Sequence, residues 1–495
     1  MVDMNAKNGL TPTDELLWGP AALTDRREKC RVHQGKMAAK RSIWINRNGY
    51  YYQEIKRLFQ FVAEPGRKVL HMRCETGVLL EYLRPSKGLG VDVSEKMVEQ
   101  AKRNYGHRFD FQVSDPEDFT SSETFDIILF NAVNDTVDVL AAFRRMRAVC
   151  EPHTRLMLYT HSNSWKHILK LGEKIGLKVP TLEQNWLNMK DLEGFLNLGG
   201  FQLVRVYRTI LLPFWIPFLS TFFNHVLGRL PIINNLCMVN MLIARPIFPP
   251  LSPEEVSVSV IIPCKNEKDN IQAAVQRIPE MGKSTEIIFC DDKSTDGTRE
   301  EIQRVQAIHN HRTIRLLDGP GICKSENVWT GFNGASGDIL MILDGDLTVM
   351  PEELPDFFRA MLQRKGEMIN GVRLVYPVPK TAMPTFNLIG NKAFSVLFSL
   401  ALGQTVKDTL CGTKVIWRRD WERIRPLVGS WGTQDRWGDY DILFGASKLT
   451  LLITDLPVHY QERVFGITKM VRVFQNGVTM LRITLNATMK LRFGF

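Results

Sequence analysis

Two aspartates directly follow a short apolar run in the second half of the chain. Asp344 and Asp346 flank Gly345, and all five residues before them, 339–343, are apolar. Such a run predicts a strand that is covered on both faces of a parallel sheet, and ligands of such sheets bind beyond the carboxyl ends of the strands. Two carboxylates there could hold one oxygen-preferring cation and the diphosphate that it bridges. An isolated pair of this kind is also common in solvated turns, so the other elements must decide.

Two more predicted strands end in polar residues. The first includes Pro263 and is followed by Asn266 and Glu267, and the second runs into Asp291 and Asp292. An acid at the end of the second strand can accept hydrogen bonds from a ribose or a base. Three polar strand ends in succession predict one edge of a sheet that binds a nucleotide.

The apolar runs alternate with helical stretches in two separate series, which predicts two α/β domains with doubly wound sheets. A chain of 495 residues is also too long for one ordinary core. The predicted strands are 69–72, 88–93, 109–113, 125–130 and 155–160, then 258–263, 286–291, 313–317 and 339–343. We divide the chain into a lead (1–49), a first domain (50–210), an apolar bridge (211–250), a second domain (251–470) and a basic tail (471–495).

Composition narrows the class of partner and the compartment. The net charge of +10 favours an anionic partner, but there is no RNA-binding signature or clustered basic block, so nucleic acid is not expected. The eight cysteines form no close Cys-x-x-Cys pair, which is typical of a reducing compartment. The first residues are polar and charged and lack the apolar core of a signal peptide. We therefore expect a cytoplasmic protein.

Two segments could lie on a membrane surface. In the bridge, residues 211–219 are apolar, but Pro213, Pro217 and the polar residues that follow interrupt the stretch of about 20 apolar residues that a crossing helix needs. Packing between domains is the alternative for the bridge, and core packing is the alternative for the tail. Both segments together favour a peripheral protein on the cytoplasmic face of a membrane. The tail places apolar residues on one helical face with basic residues nearby: Phe474, Val478, Leu481, Leu485 and Met489, with Arg472, Arg482, Lys490 and Arg492.

From Val256 to Phe495 the sequence resembles a family-2 glycosyltransferase with the GT-A fold, and most of all the dolichyl- or polyprenyl-phosphate sugar transferases. The motifs that carry the resemblance are the three strand ends above and residues 408–414, 438–441 and 456–466. The resemblance implies an inverting hexosyltransferase that moves a sugar from a nucleoside diphosphate to a lipid phosphate of the polyprenyl type. A hydroxyl acceptor on a glycan, a lipid or a metabolite is the alternative.

The resemblance also implies a role for each donor-side residue. Asp344 and Asp346 form its DxD motif and would hold Mg²⁺ or Mn²⁺ against the diphosphate, while Asp292 would contact the nucleobase or the ribose. The set implied for nucleotide-sugar binding is Pro263, Asn266, Glu267, Asp291, Asp292 and Asp344.

Further residues are implied for catalysis and for the acceptor. Asp441, with Asp439 beside it, stands at the place of the family's late acid, which serves as a general base when the acceptor is a hydroxyl. A phosphate acceptor is already an anion and scarcely needs a base, so cations matter more in that case. Arg463, Arg373 and Lys469 are the candidates to bind the acceptor phosphate or the donor diphosphate.

The first domain carries an altered glycine-rich motif after its first strand. His71 stands where an acid is usual, Arg73 and Glu75 stand where glycines are usual, and Gly77 is retained. With this motif after their first strand, residues 50–208 resemble a class I S-adenosylmethionine-dependent methyltransferase with a Rossmann-like fold. The resemblance implies that Gly77, Asp92 and Asp115 would bind S-adenosylmethionine, with Asp92 at the ribose and Asp115 at the adenine.

Three interpretations of this domain stay open. Side chains at Arg73 and Glu75 would crowd the methionine part of the cofactor and require unsuitable backbone angles, which favours a scaffold or an acceptor-binding module. The second interpretation is a binder of another nucleotide. The third is a methyltransferase with an unusual pocket, in which case the C-terminal half of the chain would be a binding platform.

Overall fold

The computed structural model describes residues 20–182, 184–377, 385–432, 434–463, 465 and 473–494. The chain forms two compact units, with the boundary between Ile247 and Phe248. Each unit contains a mixed seven-stranded sheet, so the prediction of two α/β domains is confirmed. We call them the N-terminal unit and the C-terminal unit.

Within the described residues the N-terminal unit begins with the helices α1 (Pro20–Met37), α2 (Arg41–Arg47) and α3 (Gly49–Val62). Strands and helices then follow in the order β1 (Lys68–Met72), α4 (Val78–Tyr82), β2 (Lys87–Asp92), α5 (Glu95–Tyr105), β3 (Asp110–Val113), β4 (Phe125–Phe130), α6 (Val139–Ala148), β5 (Cys150–His161), α7 (Lys166–Lys174), α8 (Met189–Leu198), β6 (Phe201–Thr209), α9 (Leu219–His225) and β7 (Val239–Pro246).

The sheet of the N-terminal unit has the strand order β3-β2-β1-β4-β5-β7-β6. The first five strands are parallel, and β7 is antiparallel to both β5 and β6. Strands β1 and β4 are apolar because helices cover both faces of the sheet. Strand β7 lies inside the range 211–250 that we interpreted as a bridge. All eight of its residues are buried, so the apolar character of this part of the range comes from the core of the sheet.

The C-terminal unit begins with β8 (Val258–Cys264), followed by α10 (Lys268–Arg277), β9 (Thr285–Asp291), α11 (Thr298–Ile308), β10 (Thr313–Asp318), α12 (Lys324–Gly334) and β11 (Ile339–Ile342). It continues with α13 (Leu354–Leu362), β12 (Met368–Val372), α14 (Thr385–Leu402), β13 (Lys414–Trp417), α15 (Arg418–Ile424), α16 (Tyr440–Lys448), β14 (Ile453–Pro457) and α17 (Val473–Thr488).

The strand order β10-β9-β8-β11-β13-β12-β14 determines where a ligand can bind. Strand β9 pairs with β8, and β10 pairs with the far side of β9. Strand β11 pairs with the opposite side of β8, and all of these pairs are parallel. The chain therefore reverses its direction of winding between β8 and β11. In open α/β sheets the crevice beyond the carboxyl ends at such a reversal is the usual ligand site.

The predicted amphipathic tail is helical, but it has apolar residues on two faces. Met480, Ile483 and Ala487 are buried in the core of the C-terminal unit. The face that the sequence singled out is exposed instead and comprises Phe474, Val478, Leu481, Leu485 and Met489. Within the described ranges, none of the helices is both long and apolar enough to pass through a bilayer.

Candidate functional site

Asp344 and Asp346 lie just beyond β11, beside the reversal of the sheet. Oδ1 of Asp344 is 2.6 Å from Nζ of Lys324. Oδ2 of Asp346 accepts a hydrogen bond from the guanidinium of Arg463, and its Oδ1 accepts from the backbone N–H and the hydroxyl of Thr348 at 3.2 and 2.9 Å. Burial by itself would raise the pKa of Asp344, but the ammonium of Lys324 outweighs it and the pKa is lowered. Asp344 is therefore charged, and each of the two carboxylates has a cationic partner.

Lys324 is a site residue that the sequence reasoning missed. It is the first residue of α12 and follows the loop Gly319-Pro320-Gly321. Burial lowers its pKa, but Asp344 and Asp439 oppose this effect and the net pKa is raised, so Lys324 stays protonated. A glycine-containing loop that leads into a helix beginning with lysine is a signal typical of phosphate binding, and it could have identified this residue.

Gly412 allows the backbone to approach the Asp344 carboxylate closely. A Cβ atom at this position would fall on the carboxylate oxygens of Asp344, closer than any real contact allows. Residue 412 belongs to the motif 408–414, so this motif directly contacts the DxD motif. The requirement for glycine comes from the close approach of the acid, since Gly412 has no positive φ.

The acids after β9 have separate contacts. Oδ1 of Asp292 accepts a hydrogen bond from the backbone N–H of Gly321 at 2.7 Å, and its Oδ2 lies 3.2 Å from Nζ of Lys265. Oδ1 of Asp291 accepts from the backbone N–H of Ser294 at 3.3 Å. Asp292 thus faces the glycine-containing loop that precedes Lys324, whereas Asp291 stabilises its own turn.

The residues after β8 connect the other two strand ends. The backbone N–H of Asn266 donates to Ser294 Oγ at 2.9 Å, and Asn266 adopts a positive φ of 53°. Glu267 Oε1 lies 3.8 Å from a guanidinium nitrogen of Arg463, which also binds Asp346. The carbonyl oxygen of Pro263 lies beside Gly345, 3.2 Å from where a Cβ atom would be. The structure therefore brings the three predicted strand ends to one edge. Their roles in ligand binding remain predictions.

The two late acids have different neighbours. Oδ1 of Asp439 accepts a hydrogen bond from Nζ of Lys414 at 2.7 Å, and both side chains are almost completely buried. Burial raises the pKa of Asp439, against the attraction of Lys414 and Lys324. Because Lys324 also pairs with Asp344, Asp439 belongs to the same group of charges as the DxD motif.

Asp441 lies in the first turn of α16 and contacts other groups. Its Oδ2 accepts a hydrogen bond from the backbone N–H of Gly429 at 3.3 Å, and its own backbone N–H donates to Asp435 Oδ2 at 3.2 Å. Burial, assisted by the negative charge of Asp435, raises the pKa of Asp441 to about 7. Asp441 is therefore an acid that can exchange a proton near neutral pH.

Arg373 is held in a buried ion pair. Its Nε and Nη2 atoms donate to the two carboxylate oxygens of Asp408 at 2.7 and 2.9 Å. Asp408 is fully buried and also accepts a hydrogen bond from Asn391 on α14. This pair fixes the start of the motif 408–414. A role of Arg373 in binding the acceptor stays a prediction that would require this pair to open. Lys469, the other predicted acceptor residue, lies outside the described residues.

In the N-terminal unit the predicted cofactor edge is filled by the protein itself. Asp92 is fully buried, and its two carboxylate oxygens accept hydrogen bonds from the backbone N–H groups of Ser94 and Glu75, each at 3.0 Å. Arg73 is buried next to Asp92 and Asp115. Burial lowers its pKa, but these acids outweigh burial and the pKa is raised. A buried cation thus stands between the acids that the resemblance assigned to the cofactor.

The loop keeps the backbone of a glycine-rich turn although two of its glycines are replaced. Arg73 and Glu75 have φ of 63° and 51°, in the left-handed region that glycine adopts most easily. Glu75 forms an ion pair with Arg41 of α2. A Cβ atom at Gly77 would lie 3.0 Å from the ring of Tyr105, so the space beside this glycine is taken up by an aromatic side chain. The imidazole of His71 is buried, which lowers its pKa to about 3 and keeps it neutral.

These observations test whether S-adenosylmethionine fits. The cofactor carries a sulfonium cation, and the guanidinium of Arg73 would repel it in a buried environment. The oxygens of Asp92 already have backbone partners. Helix α1 adds an ion pair between Arg27 and Glu117, close to Asp115, whose Oδ1 accepts from the backbone N–H of Glu117 at 3.1 Å. The residues present do not fit this cofactor.

Comparisons with known proteins identify both units. The family model Glycosyl transferase family 2 matches residues 259–438, and a model described as Methyltransferase domain matches residues 43–206. The chain therefore carries a family-2 glycosyltransferase domain and a methyltransferase-like domain, as the motifs had indicated.

Curated relatives match less than half of the chain. Undecaprenyl-phosphate 4-deoxy-4-formamido-L-arabinose transferases of Salmonella paratyphi B and Salmonella newport are each 26% identical over 217 residues, which cover 43% of this chain. The matched region spans 62% of the length of these relatives. Similar solved structures include glucosyl-3-phosphoglycerate synthase from Mycobacterium tuberculosis (17% identical, covering 48% of this chain and 82% of that chain, TM-score 0.35). A methyltransferase from Thermotoga maritima is 13% identical, covering 44% of this chain and 99% of that chain, with a TM-score of 0.35.

Proposed function

We propose that the C-terminal unit transfers a sugar from a nucleoside diphosphate to a lipid phosphate of the polyprenyl type, with inversion at the anomeric carbon. The observation that carries the proposal is the pairing of Asp344 with Lys324 and of Asp346 with Arg463 at the reversal of the sheet. Alternating acids and cations suit a diphosphate, because cations bind the phosphate oxygens directly and carboxylates bind them through a metal ion.

The donor occupies the edge formed by the three strand ends. Asp292 contacts the ribose or the base beside the loop at Gly321, and Lys324 lies next to the diphosphate. An oxygen of the acceptor attacks the anomeric carbon while the bond from that carbon to the diphosphate oxygen breaks, and the electron pair leaves with the nucleotide. Lys324 and Arg463 then stabilise the negative charge that develops on the leaving group.

Mg²⁺ or Mn²⁺ fits the residues present. The side chain of Asp344 is partly exposed, and Asp344 and Asp346 would hold the ion. When bound, it neutralises the departing diphosphate without a proton transfer. Such ions usually take one or two carboxylates from the protein and complete their shell with phosphate oxygens and water.

A phosphate acceptor accords with the pairing of Asp439, whose carboxylate is almost completely buried against the ammonium of Lys414. The undecaprenyl phosphate for which the Salmonella transferases are named and the exposed apolar side chains of α17 also support a lipid acceptor and a peripheral position on the cytoplasmic face of a membrane. The second candidate is a hydroxyl acceptor. The raised pKa of Asp441 favours it, because an acid with a pKa of about 7 can act as a general base near neutral pH.

The test is a transfer assay with the full chain. Uridine and guanosine diphosphate sugars are supplied with Mg²⁺ or Mn²⁺, and polyprenyl phosphate is compared with the matching polyprenol. We expect a glycosylated lipid from polyprenyl phosphate alone, with an inverted anomeric configuration by NMR. Transfer to polyprenol or to a glycan, but not to the phosphate, would establish the second candidate. If neither metal supports turnover of any donor by the folded protein, the catalytic proposal fails.

A further inference from the structure

The segment 211–236 of the N-terminal unit exposes an unusual amount of apolar surface. Its most exposed large side chains are Phe214, Trp215, Phe218, Phe222, Ile232 and Leu236. The exposed fraction reaches 90% for Phe218 and 83% for Ile232. Soluble proteins seldom expose contiguous apolar patches of this kind unless the patch contacts a partner or a membrane. We call these residues, together with the exposed side of α7 described below, the apolar face.

The two most exposed residues of the segment share one rare backbone conformation. Each follows a proline and is the central residue of a three-residue turn. The N–H of Leu219 donates to the carbonyl of Pro217 at 2.7 Å around Phe218, and the N–H of Ile233 donates to that of Pro231 at 2.9 Å around Ile232.

The central residues of these turns have φ and ψ of 62° and −44° at Phe218 and 73° and −56° at Ile232. This form of the γ-turn is strained for a residue with a side chain, and strain of this kind is concentrated at functional sites. The same strained turn therefore exposes two large apolar side chains to solvent.

A buried polar framework holds the apolar face in place. The side chain of Asn224 is fully buried, accepts hydrogen bonds from the N–H groups of Leu211 and Leu212, and donates to the carbonyl of Leu212 and the hydroxyl of Tyr50. The hydroxyl of Ser220 is likewise bonded to the carbonyl of Phe214. Because Asn224 and Ser220 bind the backbone of the segment from underneath, the exposed side chains have a defined arrangement.

Helix α7 extends the same surface and supplies positive charge. Trp165, directly before α7, donates from its ring nitrogen to the carbonyl of Leu236 at 2.8 Å, so the helix begins beside the segment. Ile168, Leu171 and Ile175 recur at helical spacing and are exposed, although they are large and apolar. Lys170 and Lys174 on the same helix are also exposed.

The distribution of charge indicates what the apolar face binds. Residues 211–236 contain no Asp, Glu or Lys, and their one arginine, Arg229, is buried. Aromatic and aliphatic side chains with neighbouring lysines suit the boundary between headgroups and acyl chains of a membrane that contains anionic lipids. We propose that the apolar face docks the N-terminal unit onto such a bilayer surface. This docking does not depend on sugar transfer, so the two proposals can fail separately.

The test is cosedimentation of the full chain with vesicles. We expect binding to vesicles of phosphatidylcholine mixed with phosphatidylglycerol, weaker binding to phosphatidylcholine alone, and a decrease with salt. The double variant Phe218→Gly/Ile232→Gly should bind at least about tenfold more weakly, because it removes the two most exposed apolar side chains. Glycine accepts the positive φ, so the unfolding temperature should not fall. Lys170→Gln/Lys174→Gln should lower binding to the anionic vesicles about tenfold.

The matched control is Val113→Ser/Ile308→Ser, which removes two exposed apolar side chains from β3 and α11 and should bind like the wild type. The proposal is overturned if the wild type does not sediment with vesicles, or if the double glycine variant sediments equally well. It is also overturned if the apolar face instead joins two copies of the chain in the absence of lipid, as detected by light scattering. Vesicle binding without any sugar transfer would leave the docking proposal standing and reject the catalytic one.

Discussion

The carboxyl edges of the two sheets both carry acids, but Asp344 at the C-terminal edge is partly exposed whereas Asp92 at the N-terminal edge is fully buried. In the C-terminal unit the side chain of Asp344 is 28% exposed and that of its partner Lys324 is 33% exposed. In the N-terminal unit Asp92 is fully buried and both of its oxygens accept backbone N–H groups. An anionic ligand or a metal ion could therefore reach Asp344 but not Asp92.

The size of the residues in the neighbouring loops explains this difference. At the C-terminal edge, Gly412 leaves space where a Cβ atom would meet Asp344. At the N-terminal edge, Arg73 and Glu75 stand in the strained backbone positions of a glycine-rich turn, and Arg73 is buried. A parallel sheet thus fixes where a ligand site can be, whereas the loops decide whether the site is open.

The largest effect should come from removing the charge of Asp344. Asp344→Asn should lower sugar transfer about a thousandfold, because both the metal ligand and the partner of Lys324 are lost. The measurement is turnover of the donor, with circular dichroism to verify folding. Asp318→Asn is the control, since Asp318 ends the neighbouring strand β10 with an exposed side chain and should tolerate the change. If Asp344→Asn turned over the donor at the wild-type rate, Asp344 would not be needed for transfer and the two edges would not differ in function.

A second effect concerns pH and Asp441, which is buried but lies outside the DxD charge group. Its pKa rises on folding from 3.8 to about 7, so the folded state binds more protons than the unfolded state between these values. Stability contributed by the protonated acid is complete below 3.8 and is lost as the pH rises through about 7, by at most about 4 kcal/mol. Asp441→Asn should remove this pH dependence, as measured by hydrogen exchange of the α16 amides. An unchanged pH profile would contradict the prediction.

The same variant separates the two acceptors. With a phosphate acceptor, Asp441→Asn should transfer sugar at a rate near that of the wild type at neutral pH, because no general base is needed. A severe loss of turnover with normal donor binding would instead assign Asp441 as the base for a hydroxyl acceptor. The rate of transfer and the affinity for the donor are therefore measured on the same preparation.

A smaller effect tests the role of loop size at the open edge. Gly412→Ala should push the Asp344 carboxylate out of position, at a cost of about 1–3 kcal/mol, and should lower turnover about tenfold. Gly390→Ala on α14 is the matched control, because a Cβ atom there meets nothing within 4 Å. Equal turnover of the two variants would show that the space at Gly412 does not keep the edge functional.

Some strands were predictable from sequence and others were not, for a physical reason. Strands β1, β4, β8, β9 and β11 are parallel and covered on both faces, so each gives a continuous apolar run. Strands β6, β12, β13 and β14 were missed. β13 has only four residues and begins with a lysine, and β6 alternates with basic residues, so neither gives such a run. Strand β7 is apolar, but it follows the apolar residues 211–219 closely in sequence, so we assigned it to the bridge.

The candidate site was predictable in its acids but not in their partners. Asp344, Asp346 and Asp292 follow apolar runs directly, so local sequence indicates where they lie. Lys324 and Lys414 are distant in sequence from the acids they bind, and only the packing of α12 and β13 brings them together. The burial of Arg73 could not be derived either, because a side chain in a loop can equally well extend into solvent.

The final prediction is an absence of binding at the closed edge. Titration of S-adenosylmethionine into the wild-type chain should give no saturable heat up to about millimolar ligand, because Arg73 is a buried cation among the acids and Asp92 is fully buried with both oxygens bonded to backbone N–H groups. In Arg73→Gly/Glu75→Gly the guanidinium is gone and glycine accepts the positive φ at both positions. If the arginine is what closes the edge, this variant should gain measurable affinity. Saturable binding to the wild type would show that Arg73 moves aside for the ligand. The N-terminal edge would then be closed only in the absence of ligand.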